Sequence, residues 1–75
     1  MKGEMAIIDH TGDTKLIWDS DNKDEVDNAR RTFNDLKKKN YLAYEVKKKG
    51  GKGEIMDEFD PRVERIILSP PMVGG

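Results

Sequence analysis

The chain contains no cysteine, a single histidine, and no apolar run long enough to span a bilayer. The missing cysteine excludes a disulfide framework, a thiolate metal site and a cysteine nucleophile. His10 stands alone between Asp9 and Thr11. Without Cys it cannot assemble a metal site of the usual kinds, so it reads as a surface turn residue and no metal is expected. With neither a signal-peptide pattern nor a membrane segment, a soluble cytoplasmic protein is expected. A charge excess of one sign is also missing. Fourteen Lys and Arg face fifteen Asp and Glu, for a net charge of −1, which argues against bulk attraction to nucleic acid or an anionic membrane. Ser20 and Ser69 have no base and orienting group to make them nucleophiles. The chain is therefore not read as an enzyme, and no cofactor is expected.

Seventy-five residues, 35% apolar and 39% charged, make one domain with a small core. Met5-Ala6-Ile7-Ile8 and Thr14-Lys15-Leu16-Ile17-Trp18 are short apolar runs joined by Asp9-His10-Thr11-Gly12-Asp13, which predicts a β-hairpin over 5–18. Val26, Ala29, Phe33 and Leu36 recur at helical spacing. Ser20 or Asn22 can cap that helix, and Asn22 with Glu25 has the spacing of a capping box. Acids crowd its first turns and Lys37-Lys38-Lys39 its last, both matching the helix dipole. Asn40 suits the left-handed residue that stops it, which places the helix at 22–39. Tyr41 to Lys47 alternates, with Leu42, Tyr44 and Val46 on one face, as a strand. Lys48 to Gly53 reads as a mobile loop. Glu54 to Phe59 is expected as an edge strand ending at Asp60-Pro61. Glu64 to Leu68 is the last strand, with three consecutive β-formers suited to the middle of a sheet. The expected class is α+β: a mixed sheet with one helix packed on one face, in β-β-α-β-β-β order.

After Leu68 come Ser69-Pro70-Pro71-Met72-Val73 and then Gly74-Gly75. Two prolines favour an extended, semi-rigid stem, and two glycines let a catalytic cleft approach the backbone from all sides. Order, length and this tail together resemble the ubiquitin-like β-grasp proteins, in which a hairpin, a helix beginning in the low twenties and a late central strand precede a free Gly-Gly tail. The resemblance implies a globular domain over 1–68 and an extended tail over 69–75. It also implies a small protein modifier: an activating enzyme adenylates the Gly75 carboxylate, and the acyl group passes to an enzyme cysteine and then to a lysine amine. A sulfur carrier of the same fold converts the adenylate to a thiocarboxylate instead. Gly74 and Gly75 are then the conjugation residues, and Pro70, Pro71, Met72 and Val73 the stem that is recognised. Ubiquitin carries arginines where this stem is apolar, which implies enzymes other than ubiquitin's own. Activating enzyme, conjugation target and isopeptidase are the implied partners of a monomer.

The competing reading is a β-grasp module that binds protein without conjugation, as an adaptor, a mobile-element accessory or an inhibitor. A one-helix, one-sheet domain leaves a sheet face uncovered, and strand residues alternate between faces. Ile8, Ile17 and Ile67 fall in the alternation class opposite to Ile7, Leu16, Trp18, Ile66 and Leu68, and are the candidate partner surface. Nucleic-acid binding through Lys37–Lys39 and Lys47–Lys52 is the weaker third reading, because the acids cancel the bases. Asp19, Asp21 and Asp24 resemble a calcium loop only superficially, since Lys23, Asp24 and Arg30 occupy positions that such a loop reserves for a ligand, a glycine and a glutamate. Trp18-Asp19 lacks the repeat that would make it a propeller motif.

Overall fold

The computed structural model describes residues 1–47 and 53–71. Six elements follow one another: β1 (Lys2–Asp9), β2 (Gly12–Asp19), α1 (Lys23–Lys38), β3 (Leu42–Glu45), β4 (Glu54–Ile55) and β5 (Arg65–Ser69). The strands form one mixed sheet in the order β2-β1-β5-β3-β4. β1 and β5 are parallel, and every other pair is antiparallel. The protein is thus α+β, with one helix against a five-stranded mixed sheet.

The hairpin is longer than its apolar runs. Asp9 pairs with Gly12, so only His10 and Thr11 form the loop, where a five-residue loop is expected from composition. Lys2, Glu4, Asp13, Thr14 and Lys15 belong to the ladder although polar, because backbone pairing continues where side chains meet water. Asp9 stabilises the reversal by accepting from the Thr11 N–H and hydroxyl. Gly12 takes a φ of 135°, a conformation that glycine adopts freely.

Asn22 is the N-cap of α1. Its Oδ1 accepts from the N–H groups of Asp24 at 3.1 Å and Glu25 at 3.3 Å. Glu25 reaches back with both oxygens, to Asn22 Nδ2 at 2.9 Å and to the Asp19 N–H at 2.9 Å. The Asn22 N–H itself donates to Asp19 O at 2.9 Å, so Glu25 does not close the expected capping box on that N–H but ties the helix start to the end of β2. At the other end Asn40 has φ 67°. Its N–H donates to Lys37 O and the Tyr41 N–H to Leu36 O, both at 3.0 Å. These two bonds are those of a Schellman stop, with Asn in the place glycine usually holds.

Val26, Ala29 and Phe33 are buried by α1 against Met5, Trp18, Ala43, Ile66 and Leu68 of the sheet. Leu36 and Tyr41 pack at the margin. The segment after β4 completes this core. Met56, Phe59 and Val63 are buried, and Phe59 lies 5.1 Å from Trp18 edge-on and 5.8 Å from Phe33. Trp18 Nε1 donates to Pro61 O at 3.1 Å, satisfying the indole of a wholly buried side chain. Gly3 lies under that ring: a Cβ there would stand 2.2 Å from Trp18 Cζ2.

One expectation needs correction, and one left open is decided. The stretch 54–59 is a strand only at Glu54–Ile55; Met56 and Phe59, three apart, both turn into the core, a spacing that strand alternation cannot deliver. In β3 the core-facing residue is Ala43, paired with Leu68, so Leu42 and Tyr44 face away from the helix. Both alternation classes of 41–46 contain apolar residues, and pairing with β5 decides which class faces in.

Candidate functional site

β5 occupies the middle of the sheet, with β1 on one side and β3 on the other. Ile66 and Leu68 are fully buried towards α1, and Ile67 is half-buried on the opposite face. Ser69 still pairs with Leu42, so the sheet holds the chain one residue beyond the expected end of the globular domain. Pro70 follows half-buried and Pro71 is exposed. Neither carries an N–H, so neither can continue a ladder, and the chain leaves the sheet here. Met72, Val73, Gly74 and Gly75 lie outside the described residues, as do Lys48 to Lys52 of the expected lysine-rich loop.

The face opposite α1 is built from the alternation class that the core leaves out. Its middle row crosses all five strands as Lys15, Ala6, Ile67, Tyr44 and Ile55. Towards the start of β1, Ile17, Glu4 and Arg65 stand side by side. Towards the proline stem lie Ile8, opposite Asp13, and Leu42, opposite Ser69. Among the described residues, Ile8 (41% exposed), Leu42 (43%), Ile17 (60%) and Ile55 (62%) are, with Met1, the large apolar side chains most open to solvent. Ile8, Ile17 and Ile67 thus share this face but do not form one cluster. Ile67 lies between Ala6 and Tyr44, whereas Ile17 is separated from it by Lys15 and Glu4. Leu42, Tyr44 and Ile55 were missed as members of this face. The signal that could have found them is Ala43, the one small apolar residue of β3 and the one able to sit tightly under a helix.

Charges punctuate the face. Glu4 carboxylate oxygens lie 3.9 Å from Lys15 Nζ and 3.4 Å from Arg65 Nε. Such exposed pairs contribute little to stability. A cleft of about 260 Å³ at the start of β5 is lined by Glu45, Val46, Lys47, Arg62, Val63 and Glu64, charged residues of both signs around two valines. Among the described residues no group of three or more His, Cys, Asp or Glu could hold a metal ion, and no helix is long and apolar enough to cross a membrane. His10 is exposed in the hairpin loop.

Three carboxylates titrate below their usual range, each for a local reason. Asp9 is held down by the Thr11 hydroxyl and N–H. Asp19 is held down by the Asp21 N–H and then by the N-terminal ammonium, 3.6 Å away. Asp60 is held down by the Arg62 N–H and then by its guanidinium. These groups close turns and flank a helix start, and each is lowered chiefly by neighbours within two residues or by the chain's N-terminus. Arg30 stands 5.9 Å from the centre of the Phe59 ring, covering the aromatic cluster. Comparison with models of known protein families, with curated proteins and with solved structures gives no match to this chain.

Proposed function

We propose that the chain is a ubiquitin-like β-grasp protein that carries an activated acyl group at Gly75, as a protein modifier or a sulfur carrier. One observation carries the reading. β5 is clamped between β1 and β3, and the chain leaves it through Pro70 and Pro71. A tail anchored in the middle of a sheet transmits the position of the globule to its tip. Seven residues from 69 onward span at most about 23–25 Å, enough to thread a carboxylate into a cleft while the globule stays outside. The prolines lower the entropy lost when the stem is ordered there.

The chemistry follows from the carboxyl group, whether Gly75 ends the native chain or cleavage exposes it. The carboxylate attacks the α-phosphorus of ATP and releases pyrophosphate. An enzyme thiolate displaces AMP to form a thioester, and a lysine amine then displaces the thiol to form an amide. For sulfur transfer, a sulfide donor displaces AMP and leaves a thiocarboxylate. The partners supply catalysis; this chain supplies the acyl group and a docking surface. The need for ATP puts the reaction in the cytoplasm.

The test is ATP–pyrophosphate exchange with adenylating enzymes encoded beside this gene. Exchange is expected with the chain ending at Gly75 and lost when Gly74-Gly75 is deleted; equal exchange with the deletion would sink the proposal. A second reading, a binding module without conjugation, is favoured by the exposure of Ile55, Ile17, Leu42 and Ile8 on one sheet face. On that reading Ile55→Asp and Ile8→Asp remove partner binding and tail deletion does not.

A further inference from the structure

β2 is an edge of the sheet and eight residues long, a length that proteins seldom leave unprotected. The direction of its backbone groups follows from neighbouring bonds. The Ser20 N–H donates to Met1 O at 2.8 Å, so Met1 and Ser20 form a bonded pair. Alternation then makes Gly3–Trp18, Met5–Leu16 and Ile7–Thr14 the pairs that exchange ladder bonds. The Glu4 N–H agrees, because it turns the other way and donates to Glu64 O at 2.9 Å. Asp13, Lys15, Ile17 and Asp19 therefore aim their N–H and C=O groups away from β1.

Asp19 is already sealed. Its N–H donates to Glu25 Oε1 at 2.9 Å and its C=O accepts from the Asn22 N–H at 2.9 Å. The outward backbone groups of Asp13, Lys15 and Ile17 have no partner among the described residues. These three residues make a short open edge, closed at one end by the start of the helix.

We propose that this edge pairs antiparallel with the same edge of a second copy, about a two-fold axis at Thr14. The occupant and its register follow from charge. An axis at Lys15 opposes Lys15 to the partner's Lys15, and an axis at Asp13 opposes two aspartates. An axis at Leu16 opposes Asp13 to the partner's Asp19, and an axis at Ile17 aims Lys15 at the spent backbone of Asp19. Of these, the axis at Thr14 alone opposes unlike charges on residues whose outward backbone is unspent, Asp13 against the partner's Lys15, and symmetry supplies the contact twice. Lys15 is exposed and, among the described residues, held only by Glu4 at 3.9 Å, so it can turn to the new carboxylate. The pair joins two five-stranded sheets into one of ten strands and carries the open face across the joint. The far edge, β4, has two residues, too few to repeat the contact, so association stops at a dimer. The joint is separated from β5 by β1, which makes it compatible with the carrier reading but independent of it.

The experiment follows the mass of the full chain by sedimentation equilibrium, up to about 1 mM because an edge of this size lies at the small end of specific interfaces. The mass should rise from 8.6 kDa towards twice that value. Asp13→Lys alone and Lys15→Asp alone should each abolish the rise, and the double swap Asp13→Lys/Lys15→Asp should restore it. Both sites are exposed, and a restored dimer also shows that the swapped chains fold. Because the chain has no cysteine, Thr14→Cys gives a register test: the paired residues stand about 4.5 Å apart at Cα, within disulfide reach, and should cross-link under mild oxidation. A chain that stays monomeric throughout, a dimer indifferent to the charge swaps, or cross-linking through Leu16→Cys in place of Thr14→Cys overturns the proposal. So does a partner of different sequence that occupies β2 while the chain alone remains a monomer.

Discussion

Gly3 and Trp18 show how one residue's lack of a side chain is another's room. The indole lies flat against the Gly3 backbone, and a Cβ would stand 2.2 Å from it. Trp18 cannot retreat, because Pro61 O holds its Nε1 at 3.1 Å and Phe59 packs against its face. Gly3→Ala should therefore lower unfolding free energy by about 1–3 kcal/mol, read by urea denaturation with Trp18 fluorescence as the probe. The acid response is also a matter of single residues. Asp9, Asp19 and Asp60 have folded pKa values below the ordinary 3.8. A depressed carboxylate stabilises the fold fully above its unfolded pKa and loses that contribution as pH falls through its folded value. The melting temperature should therefore fall as pH drops below about 4. Asp9→Asn combined with Asp60→Asn should flatten that fall, and an unchanged slope would contradict the assignment.

At the scale of the element, α1 was the most legible part of the chain. Its stripe, its Asn22 cap and its Asn40 stop are all local patterns, and each bond they imply closes within six residues of sequence. Asn40 at φ 67° should tolerate Gly with little or no loss, whereas Asn40→Ala should cost about 1–2 kcal/mol, the price of a Cβ in the left-handed region. Thermal melts of the two variants separate these outcomes. β3 and the stretch after β4 were less legible. Leu42, Ala43 and Tyr44 offer apolar side chains to either face, and only the Ala43–Leu68 and Tyr44–Ile67 pairings settle the choice. Met56 and Phe59 read as alternating strand residues until Trp18 and Phe33, distant in sequence, provide the pocket that draws both inward.

For the whole molecule, the sheet order separates the two surfaces on which the proposals rest. The proline stem leaves from the centre of the sheet and the open backbone edge lies at its margin. Swapping the charges of Asp13 and Lys15 should consequently leave ATP–pyrophosphate exchange within about twofold of the parent chain, below the level of about 0.4 kcal/mol in barrier height. Deleting Gly74-Gly75 should leave dimer mass unaltered. The candidate face was partly legible. Ile8, Ile17 and Ile67 share it because alternation within each strand is a sequence property. Their separation by Glu4, Lys15 and Ala6 is a matter of which strand lies beside which, and no local pattern encodes it.

Local pattern along the chain suffices for the α+β class, for the helix and its ends, and for the alternation within the hairpin and β5. Each of these follows from contacts between near neighbours along the chain. Tertiary structure alone decided that Ala43 faces the helix, that Met56, Phe59 and Val63 roof the aromatic core, and that Asp19 is sealed while Asp13, Lys15 and Ile17 are not. Those outcomes depend on pairing between strands far apart in sequence, where a shift of one residue moves every side chain to the other face.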